Sequence, residues 1–403
     1  MGFLKAMKEL NRRSNGFVFI AFYALFGYAI SFKLTTADSY RIGAVFCQMD
    51  FSYRMVLRMY AEGSITDIYL IFVYSVVKLF TSNPKVLFAV LGSIMGIYSY
   101  LSCRQLYKIW EGMKTRYFYI ILLFYFLTIS FFNVNGIRFW TATSFFSYYA
   151  IQYLYLERRT ALIGILLTPL IHFGYMVAVI GVFIYLIMKR LHLTTHIYFF
   201  LMVVAFIAHV ATPQSSLDDL MGSEGDVEEI SSSRALNRKA DLYRNTSENL
   251  NRKQRNDTSL YRQANKAFTV TCEWINKVGM FFLLTVLFLK RRSILMSNKQ
   301  LQFFQYILFS FALGYIASLL IGSGVRFLRL ANLMYFFWLI SVFQQNESSE
   351  WRKYVRLLFP LNFYALAFLL FNAPRLVTPL LWIAPPFFTI INGLDFQPID
   401  FIK

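Results

Sequence analysis

Two arginines stand where a glycine-containing tip turns into a long apolar run. Arg138 follows Asn135 and Gly136, and Arg326 follows a Gly-Ser-Gly tip. An arginine at the bilayer centre costs roughly 3 kcal/mol on insertion scales and less near the interface. Guanidinium forks hold phosphate oxygens in two-point contacts that lysine does not reproduce. Both arginines are therefore candidate ligands for a polyanion, although such an arginine can also snorkel to the interface without a function.

Two further residues in apolar surroundings could take part in the chemistry. Arg329 lies one helical turn beyond Arg326 and is either a second substrate ligand or the partner of an acid. His172 lies within an apolar block, close to Pro169. An imidazole titrates near neutral pH, so His172 is a candidate general base, with a hydrogen-bonded core histidine as the alternative.

Four acids could orient a sugar hydroxyl or pair with an arginine, or could be solvated loop residues: Asp50, Glu62, Asp67 and Glu273. The histidines, cysteines and acids show no spacing typical of a zinc site. The chain also contains neither a P-loop nor a nucleophile elbow. We therefore predict that the protein uses no metal ion and no cofactor.

The composition indicates which elements must carry these residues. Of 403 residues, 57% are hydrophobic and only 15% are charged, and the mean hydropathy is +0.49. A soluble domain carries roughly 25% charged residues, so the chain is predicted to be an all-α integral membrane protein. The net charge of +19 comes largely from short loops beside apolar spans, which is the positive-inside pattern, and predicts no nucleic-acid partner.

Apolar blocks of helical length recur along the whole chain, and we expect them to form one polytopic membrane domain, residues 1–403, with about ten to twelve transmembrane helices. The blocks cover 17–32, 67–81, 86–103, 117–132, 139–155, 160–188, 193–211, 271–289, 302–322, 327–344, 354–371 and 376–392.

Basic loops predict the sides of the membrane. The N-terminus and the basic loops near residues 104–116, 158–159, 189–190 and 290–299 should face the cytoplasm, which leaves the tips at 133–136, 212–267 and 322–326 outside. Three full passes before Arg104 would put its loop on the wrong side. The block 67–81 would form only about 22 Å of helix, so we suspect that it does not cross fully.

Three segments differ from the simple apolar spans. Residues 33–66 are predicted to be an external loop with an interfacial amphipathic helix. Residues 212–267 are predicted to be a large external polar loop, either solvated or acting as a lid or groove for a charged polymer. The block 160–188 is too long for one untilted span, so it is either a re-entrant pair of half-helices with His172 near the turn or one kinked, tilted helix. Pro169 should disfavour helix at Thr168.

A small polar run follows Arg138 and contains Thr141, Ala142, Thr143 and Ser144. Small polar residues let a neighbouring helix approach closely, or they line a cavity. The run therefore indicates that this span faces protein and not lipid.

The order of these features resembles the EpsG-like branch of the Wzy bacterial polysaccharide polymerases. The resemblance is carried by Asp50-x-x-Tyr53, Asn135-x-x-Arg138, Pro169-x-x-His172-Phe173 and the later Arg326. It extends over about residues 45–345. Two departures stand out: Phe139 occupies a place where the family often has glutamine, and only one span precedes Asp50, where two are common.

The resemblance implies a GT-C-like glycosyltransferase in the bacterial inner membrane, with its active site facing the periplasm or the cell exterior. It would transfer a growing glycan from undecaprenyl pyrophosphate to an incoming lipid-linked repeat unit, for O-antigen, capsule or exopolysaccharide. The implied partners are this lipid-linked oligosaccharide and membrane lipid, and a chain-length regulator protein is a candidate partner.

The resemblance also implies roles for single residues. Arg138 and Arg326 would hold the pyrophosphate without a metal ion, and His172 or Asp50 would accept the proton of the acceptor hydroxyl. The remaining expected substrate contacts are Asn135, Tyr53 and Arg329. Two other classes remain open on the residues alone: a flippase for lipid-linked oligosaccharides, and a membrane O-acyltransferase that modifies sugars.

Overall fold

The computed structural model describes residues 13–29, 38–48, 68–109, 116–129, 136–212, 260–320 and 324–343, together with the single residues 54, 58, 353, 356 and 357. Within these ranges all regular structure is helical. The protein is an all-α polytopic membrane protein, as predicted. Asp50, Tyr53 and Asn135 lie outside the described residues, as do the predicted spans 354–371 and 376–392.

The described residues form twelve α-helices and two short 3-10 turns. The first six helices are α1 Arg13–Ala29, α2 Asp38–Gln48, α3 Ile68–Lys78, α4 Pro84–Ile109, α5 Arg116–Thr128 and α6 Ile137–Leu154. The others are α7 Ala161–Ile171, α8 Met176–Arg190, α9 Thr195–Ala211, α10 Leu260–Leu289, α11 Asn298–Leu320 and α12 Val325–Phe343. The 3-10 turns are Phe173–Tyr175, which leads into α8, and Arg291–Ser293.

Four described segments are long and apolar enough to cross a membrane: Pro84–Ile109, Phe173–Arg190, Asn298–Leu319 and Arg326–Phe343. Four shorter apolar helices accompany them: Gly16–Ala29, Ile68–Lys78, Ala161–Ile171 and Thr195–Ala211. The total of ten to twelve spans stays a prediction. In the predicted loop 212–267, the described part is already helical from Leu260, where α10 begins.

The short helix α3 covers only 11 residues, about 16 Å of helix, which is half the thickness of the hydrocarbon core. It packs beside α2, the helix found within the predicted external loop 33–66. The Tyr74 hydroxyl donates to the Ile42 carbonyl at 3.3 Å, and the Lys78 ammonium donates to the Phe46 carbonyl at 3.1 Å. The interfacial position of α2 stays a prediction.

Helices α1 and α4 pack with their backbones in close contact. Gly92 and Gly96 stand four residues apart on α4, which is the spacing that lets two membrane helices approach. A Cβ atom added to Gly92 would lie 2.5 Å from the Tyr23 carbonyl oxygen, and one added to Gly27 would lie 2.2 Å from the Phe88 carbonyl oxygen. This helix pair therefore depends on glycine at the contact.

Helix α12 forms the centre of the bundle, since every residue from Leu330 to Phe343 is buried. It pairs with α11 through polar contacts as well as apolar ones. The Trp338 indole donates to the Gln300 carbonyl at 3.0 Å, and the Gln300 amide donates to the Ser341 carbonyl at 2.8 Å. These contacts hold the C-terminal half of α12 against the start of α11.

The block 160–188 is divided into two helices with the break at His172, where the predicted pair of half-helices had its turn, although the expected loss of helix at Thr168 is wrong. Helix α7 continues through Thr168 and Pro169 and ends at Ile171, and His172 then adopts an extended conformation with φ −150° and ψ 113°. Proline removes one backbone donor, but the other bonds of the last turn persist, since the His172 amide still donates to the Thr168 carbonyl at 3.2 Å. The interruption thus falls on His172 itself.

The small polar run of α6 is used for helix packing. Thr141, Thr143 and Ser144 are fully buried, and the Ser144 hydroxyl lies 3.4 Å from that of Ser99 on α4. The Thr143 hydroxyl bonds to the hydroxyl of Tyr175. This bond ties the 3-10 turn after His172 to the first turns of α6.

Candidate active site

The ring of Phe139 is the meeting point of three chain segments. It is 3% exposed and lies in the first turn of α6. The Arg326 guanidinium carbon lies 5.2 Å from its centroid. The rings of His172 and Tyr175 lie 5.5 Å and 5.2 Å from it, the His172 ring edge-on. Phe139 therefore brings together residues from α6, the break after α7 and the start of α12.

Each of these segments contributes the beginning of a helix. Arg138 is the second residue of α6, Arg326 is the second residue of α12, and the turn from His172 leads into α8. The first turns of these three helices carry no acid. The first amides of a helix lack partners within it and its dipole is positive there, so helix starts favour anions. Arg138 and Arg326 add positive side chains to helix N-termini that are already electropositive.

His172 is held in one orientation by the backbone that follows it. The Gly174 amide donates to its Nδ1 atom at 3.0 Å, and a Cβ atom added to Gly174 would lie 3.0 Å from the imidazole ring. Because Nδ1 accepts this bond, the neutral ring carries its proton on Nε2. In this tautomer the Nε2 atom is a hydrogen-bond donor, which suits an anion, and the role of His172 as a general base stays a prediction.

Arg138 and Arg329 occupy partly buried positions on either side of this centre. The Nε atom of Arg138 is shielded from solvent. The Arg329 guanidinium carbon lies 5.6 Å from the Trp140 centroid, and its Nη2 atom forms an ion pair with Glu273 at 3.6 Å. Of the two alternatives for Arg329, pairing with an acid is therefore realised. Arg326, in contrast, is solvent-exposed.

Sequence reasoning missed the role of Phe139, although a signal for it exists. The segments Gly136–Phe139 and Gly324–Phe327 follow the same pattern, glycine, a β-branched residue, arginine and phenylalanine. The two phenylalanine rings lie 6.1 Å apart at an angle of 81°. The repeated pattern thus marks two helix starts that pack against each other through these rings, each with an arginine directly before its phenylalanine.

The described residues contain no group of three or more histidine, cysteine or acidic side chains that could hold a metal ion. The charge available to an anion in this part of the molecule comes from arginine and from helix starts. The site contains donors and cations at one end of a helical membrane bundle. The molecule is therefore a polytopic membrane protein in which arginines gather at helix N-termini, an arrangement suited to an anion.

Comparison with known proteins agrees with this class. The family model described as "EpsG family" matches residues 26–379, and the chain belongs to the EpsG family. The match includes all the site residues discussed above. Membership implies a polysaccharide polymerase-type function of glycosyltransferase character. No curated protein and no solved structure matches the chain.

Proposed function

We propose that the protein is a polysaccharide polymerase acting on lipid-linked repeat units at the external face of the bacterial inner membrane. It transfers the growing glycan from undecaprenyl pyrophosphate to the sugar of an incoming unit. The observation that carries the proposal is the convergence of Arg326 and His172 on Phe139, beside Arg138 and three helix starts. Such a centre suits a pyrophosphate, which gains negative charge as it leaves.

The proposed step breaks the bond between C1 of the donor sugar and the pyrophosphate oxygen, and its electron pair stays on that oxygen. A hydroxyl oxygen of the acceptor sugar forms the new bond to C1, and the hydroxyl proton passes to a base. Arg138 and Arg326 bind the leaving pyrophosphate, and His172 donates to it from Nε2. Asp50, which the resemblance implies, is the proposed base. Arginine supplies the neutralising charge, so the proposed step uses no metal ion.

The test is complementation of a deletion strain with wild type, Arg138→Ala, Arg138→Lys and Arg326→Ala, read as the chain-length profile of the surface polysaccharide. We expect each alanine variant to lose long chains, because removing one donor to a developing anion costs about 10²- to 10³-fold in rate. Lysine should restore little, since it lacks the fork. Arg292→Ala, in an exposed loop on the predicted cytoplasmic side, is the matched control.

The same strains separate the competing functions. A polymerase deletion exports single repeat units, a flippase deletion retains them on the cytoplasmic face, and an acyltransferase deletion changes acyl content at constant chain length. Normal ladders from all three arginine variants, at wild-type protein levels in the membrane, would refute the proposal.

A further inference from the structure

A second polar cluster, which we call the Trp274 cluster, lies at the same end of the bundle as the arginine site. It consists of His209, Trp274, Lys277 and Asn332. His209 is in the last turn of α9, and α12, which carries Asn332, begins at this end. The link to the arginine site is Arg329, which contacts Trp140 on one side and Glu273, next to Trp274, on the other.

The hydrogen bonds of His209 determine which of its ring nitrogens can accept. The Ser318 hydroxyl donates to the Tyr315 carbonyl at 2.7 Å and lies 2.9 Å from Nδ1 of His209. Because that hydroxyl has only one proton, Nδ1 must donate to it, and the neutral ring then carries a lone pair on Nε2. His209 is 5% exposed, and its Nε2 atom has no hydrogen-bond partner among the described residues.

Asn332 carries a second acceptor that is buried and has no donor among the described residues. Its Nδ2 atom donates to Oδ1 of Asn276 at 3.2 Å. Its own Oδ1 atom is buried and lacks a hydrogen-bond partner within the described ranges, and the residue is 4% exposed. Leaving a buried acceptor without a donor is unfavourable, so the two acceptors indicate that a donor from a ligand is missing.

Helix α10 carries an aromatic face and a cation beside His209, and its Asn276 contacts Asn332. The ring of His209 lies 5.8 Å from that of Trp274, whose side chain is 40% exposed. The Lys277 ammonium lies 5.4 Å from the Trp274 centroid, and Lys277 is 7% exposed. Glu273 to Lys277 span about one helical turn, roughly 5–6 Å along the axis. An aromatic ring beside the His209 acceptor and one ammonium, with the Asn332 acceptor on the adjacent helix, suits a ring that bears several hydroxyls.

The hydrogen-bonding character separates the two sites. The arginine site offers donors, which suit phosphate oxygens. The lone pairs on His209 Nε2 and Asn332 Oδ1 would repel a phosphate, whereas a hydroxyl can donate to each. We infer that the Trp274 cluster is a sugar-binding subsite that takes a hydroxylated ring of the lipid-linked repeat unit. The inference rests on the proposed polymerase function, and it makes these side chains substrate-binding residues outside the arginine site.

The test uses the full-length protein in detergent and the lipid-linked repeat unit isolated from a polymerase-deletion strain, with initial rates measured over a range of unit concentrations. His209→Asn keeps a donor for Ser318 but removes the Nε2 acceptor, and Asn332→Leu removes the other acceptor. We expect each to raise KM about tenfold, the worth of one hydrogen bond. Because binding and not chemistry is affected, kcat should change by less than about threefold.

Trp274 supplies an independent variant pair. Trp274→Leu should raise KM by a similar factor, and Trp274→Tyr, which keeps a stacking face, should stay close to wild type. His196→Asn is the matched control, because His196 lies on the same helix as His209 but at its other end, where its Nε2 atom contacts Arg291. Its kinetics should equal those of wild type.

Each outcome decides a separate point. If the wild type polymerises units and the His209, Asn332 and Trp274→Leu variants keep its KM, or lose only kcat, the subsite is refuted and the polymerase stands. If Trp274→Tyr fails as badly as Trp274→Leu, the stacking role is refuted. If the wild type forms no polymer from these units, the proposed function fails and the subsite fails with it. Raised KM in a preparation that elutes like wild type supports the inference.

Discussion

Replacing Phe139 tests whether an aromatic ring aligns the active groups. In Phe139→Leu the ring disappears while an apolar side chain remains. The Arg326 guanidinium at 5.2 Å and the His172 edge at 5.5 Å then have no ring to pack against. We expect Phe139→Gln, which carries the residue common at this place in the resembled family, to behave like Phe139→Leu, because an amide offers no ring. Phe139→Tyr keeps the ring and should keep most of the activity.

The expected size of the effect follows from two of the interactions that the Phe139 ring makes, those with Arg326 and His172. A cation–π contact at an exposed arginine contributes about 0.5–1 kcal/mol, and an edge-to-face ring pair contributes about 0.5–1.5 kcal/mol. If both interactions align the groups in the transition state, removing them costs about 1–2.5 kcal/mol. Since about 1.4 kcal/mol corresponds to a factor of ten in rate, kcat/KM should fall about 5- to 70-fold.

The assay is polymerisation of purified lipid-linked units by protein that elutes as a single species. Phe146→Leu is the matched control, because Phe146 is fully buried on the same helix, about two turns further from the first turn of α6. It should lose comparable stability without a comparable loss of kcat/KM. Wild-type kcat/KM in Phe139→Leu, or an equal loss in Phe139→Tyr, would show that the ring does not align Arg326 and His172.

Three further predictions concern packing, pH and metal ions. Gly92→Ala should abolish accumulation of folded protein in membranes because its Cβ would meet a carbonyl oxygen at 2.5 Å, whereas Gly43→Ala, with its nearest contact at 3.6 Å, should accumulate normally. The hydrogen bond from Lys299 lowers the pKa of Glu157, so the linked stability is present at neutral pH and is lost as pH falls through the lowered pKa. Both side chains are more than half exposed, so Glu157→Gln should leave the melting temperature at pH 7 unchanged. Excess EDTA should leave polymerisation at the untreated rate, and a loss restored by a divalent cation would contradict the arginine-only proposal.

The positions of the long spans could be predicted from the sequence because a long apolar run in a membrane has few alternatives to a helix. A chain in hydrocarbon must satisfy its backbone groups internally, so long apolar runs form helices. Helices α11 and α12 begin and end within four residues of the apolar blocks 302–322 and 327–344. Whether the block 67–81 crosses fully stays a prediction, since its helix is described only over Ile68–Lys78.

Side-chain partners could not be predicted, because they depend on how distant helices meet. Arg329 and Glu273 are 56 residues apart in sequence, and no local pattern connects them. The sequence placed a turn near His172 as one of two alternatives, but the exact end of helix α7 depends on tertiary context. Pro169 alone suggested an earlier end, whereas the hydrogen bond from Gly174 and the packing against Phe139 stabilise the extended conformation at His172.

The pairing of Arg329 also explains how two sites of opposite character can be neighbours. A guanidinium without an acid beside it would attract phosphate toward the acceptor atoms of the Trp274 cluster. The carboxylate of Glu273 lies against Arg329 instead, and opposite charges at this distance largely cancel their field beyond a few ångströms. On the proposed assignment, pyrophosphate is therefore directed to Arg326, which is exposed, and the sugar ring to Trp274. On this assignment, the Arg329–Glu273 ion pair separates the two ligands because it removes a positive charge that would attract phosphate to the Trp274 cluster.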